Sequence, residues 1–339
     1  MDYTESTQKS RWTFTAEELA ELRAAANVKA IERGMAALSK AACKGVEQDG
    51  SLPGHSKPPS EPLTVEQELK LLKYYHQTIK QMSKKYPLRV LACALTYLKR
   101  FYIHHSVMEF DPSKTFLTCI YMAGKTEERY IPADVLSQQV KHITQNSLLK
   151  SELAMLKGLN YDLIVHTPFL EIDGFVEDLR KLIDQPEYKD AGYSVEKLNR
   201  ARQAAVGAAK CLMMSDAVVL YPPGMLALAA LRSGFTDQKV KLDPYFKRVV
   251  EKCNPETGDK GSLEKLVSDL EKIDAYGVEG HAKVNDAEVK EIDRQLKEWL
   301  KCVNPPKSKS KKEGRKDGKG TSGEASEKAA KKRKTNGGG

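Results

Sequence analysis

Residues 106–124, SVMEFDPSKTFLTCIYMAG, align without gaps on residues 216–234, DAVVLYPPGMLALAALRSG. Pro112 falls on Pro222 and Gly124 on Gly234, both 110 residues apart, and Leu88 and Leu198 keep the same separation. Identity within the echo is low. A helix–loop–proline–helix unit that recurs once nevertheless points to two copies of one helical domain in tandem. Segments that alternate apolar and polar residues, as half-buried strands do, are almost absent, so the fold class is all-α.

The periodicity places the individual helices. Thr15 and Glu18 have the spacing of a capping box, and Leu19, Leu22 and Ala26 follow at helical steps, which predicts a helix over 15–44. The stretch EQDGSLPGHSKPPSEP, 47–62, has no period and reads as a loop. Helices are then expected over about 64–84, over Leu88–His104, from Asp111-Pro112 onward, after Pro132, and over 147–159. A second, similar block runs from about Pro168 to Tyr276. A last helix over about 283–302 carries Val289, Ile292, Leu296, Trp299 and Val303 on one face, as a helix docked on the body would. The expected organisation is an N-terminal helix and linker in 1–62, repeats in 63–165 and 166–278, a C-terminal helix in 279–303 and a disordered basic tail in 304–339.

Charge and residue usage exclude several classes. The net charge is +9, but residues 304–339 hold 12 Lys/Arg and 4 Asp/Glu, a net of +8, which leaves about +1 for residues 1–303. The body is nearly neutral and gives no electrostatic reason to bind nucleic acid. The tail has no aromatic or branched aliphatic residue and cannot build a core. Its KKRK run, Lys331, Lys332, Arg333 and Lys334, reads as a nuclear localisation signal. No apolar run reaches the roughly 18 residues of a membrane span, and MDYTESTQKSRWTF does not have the pattern of a secretory signal. The six cysteines show no C-x-x-C spacing, and the adjacent pair His104-His105 points about 100° apart on a helix, so neither metal nor disulfide chemistry is expected. No phosphate loop and no nucleophile elbow occurs. The chain is therefore expected to be a non-catalytic binding or regulatory module without a cofactor or a small-molecule substrate.

Two charged residues stand out. Leu148, Glu152, Met155 and Leu159 follow steps of 4, 3 and 4, so Glu152 occupies a position where an apolar residue is expected. A carboxylate there is costly unless paired. Lys125 lies at the edge of its own helix's apolar face, four residues after Tyr121. If the two helices are neighbours, Lys125 and Glu152 can meet; the plainer reading makes both ordinary exposed charges. The second copy reads LRSGFT where the first reads AGKTEE, so it repeats the helix without the charges.

These features together resemble the cyclin family. ACALTYLKRFYIHHSVMEFDPSKTFLTCIYMAGKTEE carries the family's Y-x-x-R-F equivalent at Tyr97, Arg100 and Phe101 and its lysine–acid helix end at Lys125, Glu127 and Glu128. SELAMLKGLNYDLIVHTP carries the glutamate at Glu152 and the helix exit Leu159, Asn160, Tyr161 and Leu163. KSRWTFTAEELAELR, KRFYIHHSVMEF and LIVHTPFLEIDGFVEDLR make the likeness strongest to cyclins of the H type, over residue 9 to about 300.

The resemblance implies two five-helix cyclin boxes and a regulatory subunit of the CDK-activating kinase, nuclear, with a cyclin-dependent kinase as partner. A third assembly subunit and TFIIH would join, and the substrates would be kinase activation loops and the RNA polymerase II repeats. It implies a kinase-facing pair at Lys125 and Glu152, apolar contacts at Leu156 and Leu163, and rim contacts at Thr126 and Glu127. The first and last helices would pack together on the first box and extend the contact. The alternatives are another transcriptional cyclin of the C, K, L or T type, or a TFIIB-like DNA-binding factor, which the lack of C-x-x-C and the neutral body disfavour.

Overall fold

A computed structural model describes residues 2–49, 61–141, 143–253 and 260–303; the tail after 303, with the KKRK run, and most of the 47–62 loop lie outside the described residues. Fifteen α-helices and no strand occur among the described residues. At the N-terminus, α1 (Thr7–Arg11) precedes the long α2 (Ala16–Asp49). The first repeat is α3 (Val65–Met82), α4 (Leu88–His104), α5 (Pro112–Thr126), α6 (Ala133–Ser137) and α7 (Gln145–Gly158). The second is built on α8 (Pro168–Arg180), with the short α9 (Pro186–Asp190), then α10 (Val195–Leu212), the short α11 (Ala217–Leu220), α12 (Pro223–Thr236), α13 (Asp243–Cys253) and α14 (Lys260–His281). The chain's last described helix is α15 (Asp286–Val303).

Local chemistry sets these boundaries. The Thr15–Glu18 capping box forms in both directions, at 2.8 and 3.2 Å. Asp111 caps α5 by accepting from the Ser113 amide at 2.9 Å, and Pro112 sits in the first turn, where its missing N–H is harmless. Thr64 with Gln67 and Thr144 with Ser147 form the caps of α3 and α7.

Every residue of α4 from Val90 to Ile103 is buried, including Lys99 and Arg100, so α4 is the axis on which the first repeat packs. In the second repeat α10 and α12 cross closely. A Cβ on Gly234 would stand 2.3 Å from the Ala201 carbonyl oxygen, so only glycine lets the two backbones meet. Its counterpart Gly124 is equally tight, but against the Arg129 carbonyl oxygen at 2.8 Å, where the chain folds back after α5. The repeated glycine thus serves two different contacts.

The end helix docks as its apolar face requires. Val289, Ile292, Leu296 and Trp299 of α15 are buried against α2 and α3. Trp299 fills the space that a side chain at Gly34 of α2 would need, 2.5 Å from the missing Cβ. The first and last long helices therefore pack together on the first repeat.

The two repeats are tied by charge as well as by apolar packing. Arg23 of α2 donates two hydrogen bonds to Asp216 at 2.7 and 2.8 Å, just before α11. Lys99 of α4 donates to the Met214 carbonyl at 3.0 Å and lies 4.0 Å from Asp216. Burial alone would push the Asp216 carboxyl up; the Arg23 hydrogen bonds and the Lys99 and Arg23 charges outweigh it and hold the group well below the ordinary value of 3.8.

Arg23→Met is expected to destabilise the protein by about 2 kcal/mol, because it leaves Asp216 part-buried with only a distant cation. Urea unfolding measures this. A carboxyl with a depressed pKa contributes stability above its unfolded value and loses it as the pH falls, so the difference between wild type and variant is full above 3.8 and shrinks on acidification below it.

Candidate partner-binding face on the first repeat

The last turn of α5 and the middle of α7 lie side by side, and this brings Lys125 and Glu152 together, Nζ to Oε1 at 2.6 Å. Leu148, Met155 and Leu159 of the same stripe are buried, and Glu152, only 17% exposed, stands at the stripe's edge with its charge met by Lys125. Lys125 is 46% exposed and lies 5.3 Å from the centre of the Tyr121 ring. The Glu152 hydrogen bond raises the Lys125 pKa, so the ammonium stays charged at neutral pH. The pair is a fixed, half-open set of charged donors and acceptors.

The segment leaving α7 has an unusual backbone. Asn160 and Tyr161 both adopt the left-handed conformation, with φ of 51° and 61°. For a bulky non-glycine residue this costs roughly 1–3 kcal/mol and persists only where its surroundings impose it. The surroundings here are four buried polar groups. Tyr97 donates to the Leu163 carbonyl at 2.6 Å, and its oxygen lies 3.0 Å from the Thr126 hydroxyl. Arg100, 1% exposed, donates to the Asp162 carbonyl at 3.0 Å and to Gln8 of α1 at 3.1 Å. Gln8 accepts from the His166 amide at 2.8 Å and donates to the His166 carbonyl at 3.1 Å, while the Trp12 indole N–H reaches the Asp162 carboxylate at 3.0 Å. The RWTF region is therefore a clamp on the α7 exit. Burial pushes Arg100 down to about 10, so it remains cationic at neutral pH.

The clamp turns apolar side chains outward. Tyr161, Ile164 and Leu170 are exposed, as are Leu149 and Leu153 on α7 and Tyr130 beyond α5. Glu128, with φ of 52°, makes the turn after α5, and the Arg129 amide closes it on the Gly124 carbonyl at 2.8 Å. An exposed apolar row beside a preformed ion pair is the composition of a protein-binding face.

Of the residues singled out from sequence, Lys125, Glu152 and Thr126 share this face. Leu156 and Leu163 are half-buried and pack on the core at its base. Glu127 turns inward and accepts from the Cys93 thiol at 3.1 Å. Leu149 and Leu153 form a second apolar row on α7, and periodicity alone does not say which of two rows faces solvent. Tyr130, Ile164, Gln8 and Asp162 were not singled out. Among the described residues the second repeat offers no copy of the face. Phe235 stands where the first repeat has Lys125, and it is buried. No cluster of three or more metal-binding side chains exists among the described residues, and Lys331, Lys332, Arg333 and Lys334 lie outside them.

Tyr97→Phe is expected to cost about 1.5 kcal/mol, because it leaves the Leu163 carbonyl without its donor. Lys125→Ala, which removes a half-exposed pair, is expected to cost less than about 1 kcal/mol. Urea titrations of the two variants side by side check the contrast.

Residues 57–164 match the family described as Cyclin, N-terminal domain. Cyclin-H1-1 of Arabidopsis thaliana is 31% identical over 315 residues, 88% of this chain and 89% of that protein. Two solved structures have a similar fold. A chain of the CAK complex from Chaetomium thermophilum bound to ATP-gamma-S superposes with a TM-score of 0.67 at 20% identity, covering 88% of both chains. A chain of the yeast TFIIK complex, Kin28/Ccl1/Tfb3, superposes at 0.53 with 21% identity, covering 88% of this chain and all of that one.

Proposed function

The chain belongs to the cyclin family, of the cyclin H type, and from that premise we propose that it is the regulatory subunit of a CDK-activating kinase, binding a cyclin-dependent kinase through the face centred on Lys125 and Glu152. The observation that carries the proposal is the 2.6 Å ion pair set beside an apolar row that the Tyr97 and Arg100 clamp turns to solvent.

The physical mechanism follows from that composition. A kinase needs its mobile C-helix swung in to complete the catalytic Lys–Glu pair. Lys125 and Glu152 already restrain each other, so they can hold main-chain groups beside that helix with little loss of side-chain freedom. Leu149, Leu153, Tyr161 and Ile164 supply area whose burial favours association, with Leu156 and Leu163 beneath them and Thr126 at the edge; Glu127, turned inward to the Cys93 thiol, is left out of the contact. The protein performs no chemistry of its own. It binds the active kinase conformation more tightly than the inactive one and shifts that population. The substrates are activation loops of other cyclin-dependent kinases and the repeated tail of RNA polymerase II. A third assembly subunit and TFIIH complete the partners, a reading supported by the three-protein composition of the yeast TFIIK structure. We place the protein in the nucleus, where the KKRK run at 331–334 would direct it.

Co-purification of the chain with candidate kinases, followed by phosphorylation of an activation-loop peptide, tests the proposal. Lys125→Ala and Glu152→Ala are each expected to reduce activation at least about tenfold, since a charge-assisted hydrogen bond is worth roughly 1.5–3 kcal/mol. The melting transition of the isolated chain should stay close to wild type. Normal activation by both variants contradicts the site.

A further inference from the structure

Between the repeats lies a cavity of about 220 Å³, bounded by α2, α3, α4, the Met214–Asp216 segment and the end of α14. Its charged lining is Arg23, Lys70, Lys73 and Lys99 against Glu66, Asp216 and Glu279, with His76 beside them. Most of these groups are already paired. Arg23 is engaged by Asp216 through two hydrogen bonds, and Lys70 by Glu66 at 2.8 Å and Glu288 at 2.7 Å.

Three groups remain. The Lys99 side chain is 1% exposed, and of its three N–H donors one goes to the Met214 carbonyl while Asp216 lies 4.0 Å away. Lys73 forms no ion pair among the described residues. His76 is 7% exposed, and its Nε2 has no hydrogen-bond partner. Against them stands only Glu279, also without an ion pair among the described residues. The Lys73 and Lys99 donors are therefore in excess of the free acceptors in the lining, and a neutral His76 adds another donor in the tautomer that carries its proton on Nε2. A buried polar group with no partner costs roughly 1–3 kcal/mol, so a lining of this kind favours an occupant that accepts hydrogen bonds and carries negative charge.

We propose that this cavity binds one small oxyanion, inorganic phosphate or the phosphoryl group of a small monoester, held by Lys73, Lys99 and His76. A tetrahedral oxyanion presents acceptors in several directions at once, which matches donors arriving from α3 and α4. The volume lies below the roughly 300 Å³ at which drug-sized ligands are held, which limits the occupant to an ion or a short ester. The neighbouring charges agree: burial pushes the Lys99 ammonium down to about 8, with Asp216 offsetting only part of that, and burial together with the Lys99 charge pushes His76 well below its ordinary value. An occupant would touch α3 and α4 of the first repeat and Met214–Asp216 of the second, and so would bridge the two.

Equilibrium dialysis of the full chain with radiolabelled inorganic phosphate, at ionic strength held constant with sodium chloride, tests the proposal. One saturable site per chain is expected, above a weak linear background from the basic tail. Lys73 is half-buried and has no ion pair among the described residues, so Lys73→Ala should keep the wild-type melting temperature and weaken the saturable site at least tenfold; His76→Phe should weaken it as well by removing the imidazole and filling space. Competition by O-phosphoserine assigns the site to phosphoryl esters, and its failure to compete assigns it to the free ion. Equal phosphate binding by wild type and the folded Lys73→Ala variant, or a purely linear isotherm, overturns the proposal. Because the readout is binding and not kinase activation, its failure leaves the reading of the Lys125–Glu152 face untouched.

Discussion

A buried guanidinium organises the functional half of this molecule. Arg100 sits in the fully buried middle of α4 and directs its N–H groups to the Asp162 carbonyl and to Gln8. A cation taken out of water is costly unless its donors are used, and here both Nη groups donate to backbone and amide acceptors, not to a carboxylate, while the buried Nε has no partner. The consequence is structural. The chain leaving α7 is forced through two left-handed residues, the N-terminal α1 is recruited as a strap, and the apolar side chains of the exit segment face outward. Without the clamp, Tyr161 and Ile164 could turn toward the core, and the row beside Lys125 and Glu152 would be lost.

The internal repeat explains why only one such face exists among the described residues. Both copies need a central helix pair and a glycine at the tight point of the third helix, and both have them at Gly124 and Gly234. The next residue diverges. In the first copy it is Lys125, half exposed and paired; in the second it is Phe235, buried in the core. The first copy gives up some core at this position and gains a charged rim. The second keeps the core and supplies Asp216 to the junction, where Arg23 and Lys99 join it to the rest.

Much of this was legible in the sequence, and the limits have physical causes. Helix positions followed from periodicity and caps: Leu88–His104 and Pro112–Thr126 begin where proline and the Asp111 cap require. The final helix begins at Asp286, three residues later than the pattern suggested, because the apolar face itself starts only at Val289. The Lys125–Glu152 contact was legible because an acid on an apolar stripe demands a partner. The clamp was not. Gln8 and His166 are 158 residues apart, and nothing about a glutamine in a polar N-terminal segment announces a buried role. Glu127, read as a rim residue, is drawn toward the Cys93 thiol, a contact set by how α4 and α5 meet and not by spacing along either. Leu149 and Leu153 could not be told from core residues, since two apolar rows on one short helix look alike until a neighbour covers one of them.

On the proposed reading a single face of the first repeat meets the kinase. Amide hydrogen exchange of the full chain, alone and bound to an active cyclin-dependent kinase, tests it most directly. New protection is expected to be confined to about 125–131 and 149–165, with the matching region of the second repeat, about 235–241, unchanged. Protection centred on the second repeat, with exchange at 125–131 and 149–165 unaltered, would contradict it.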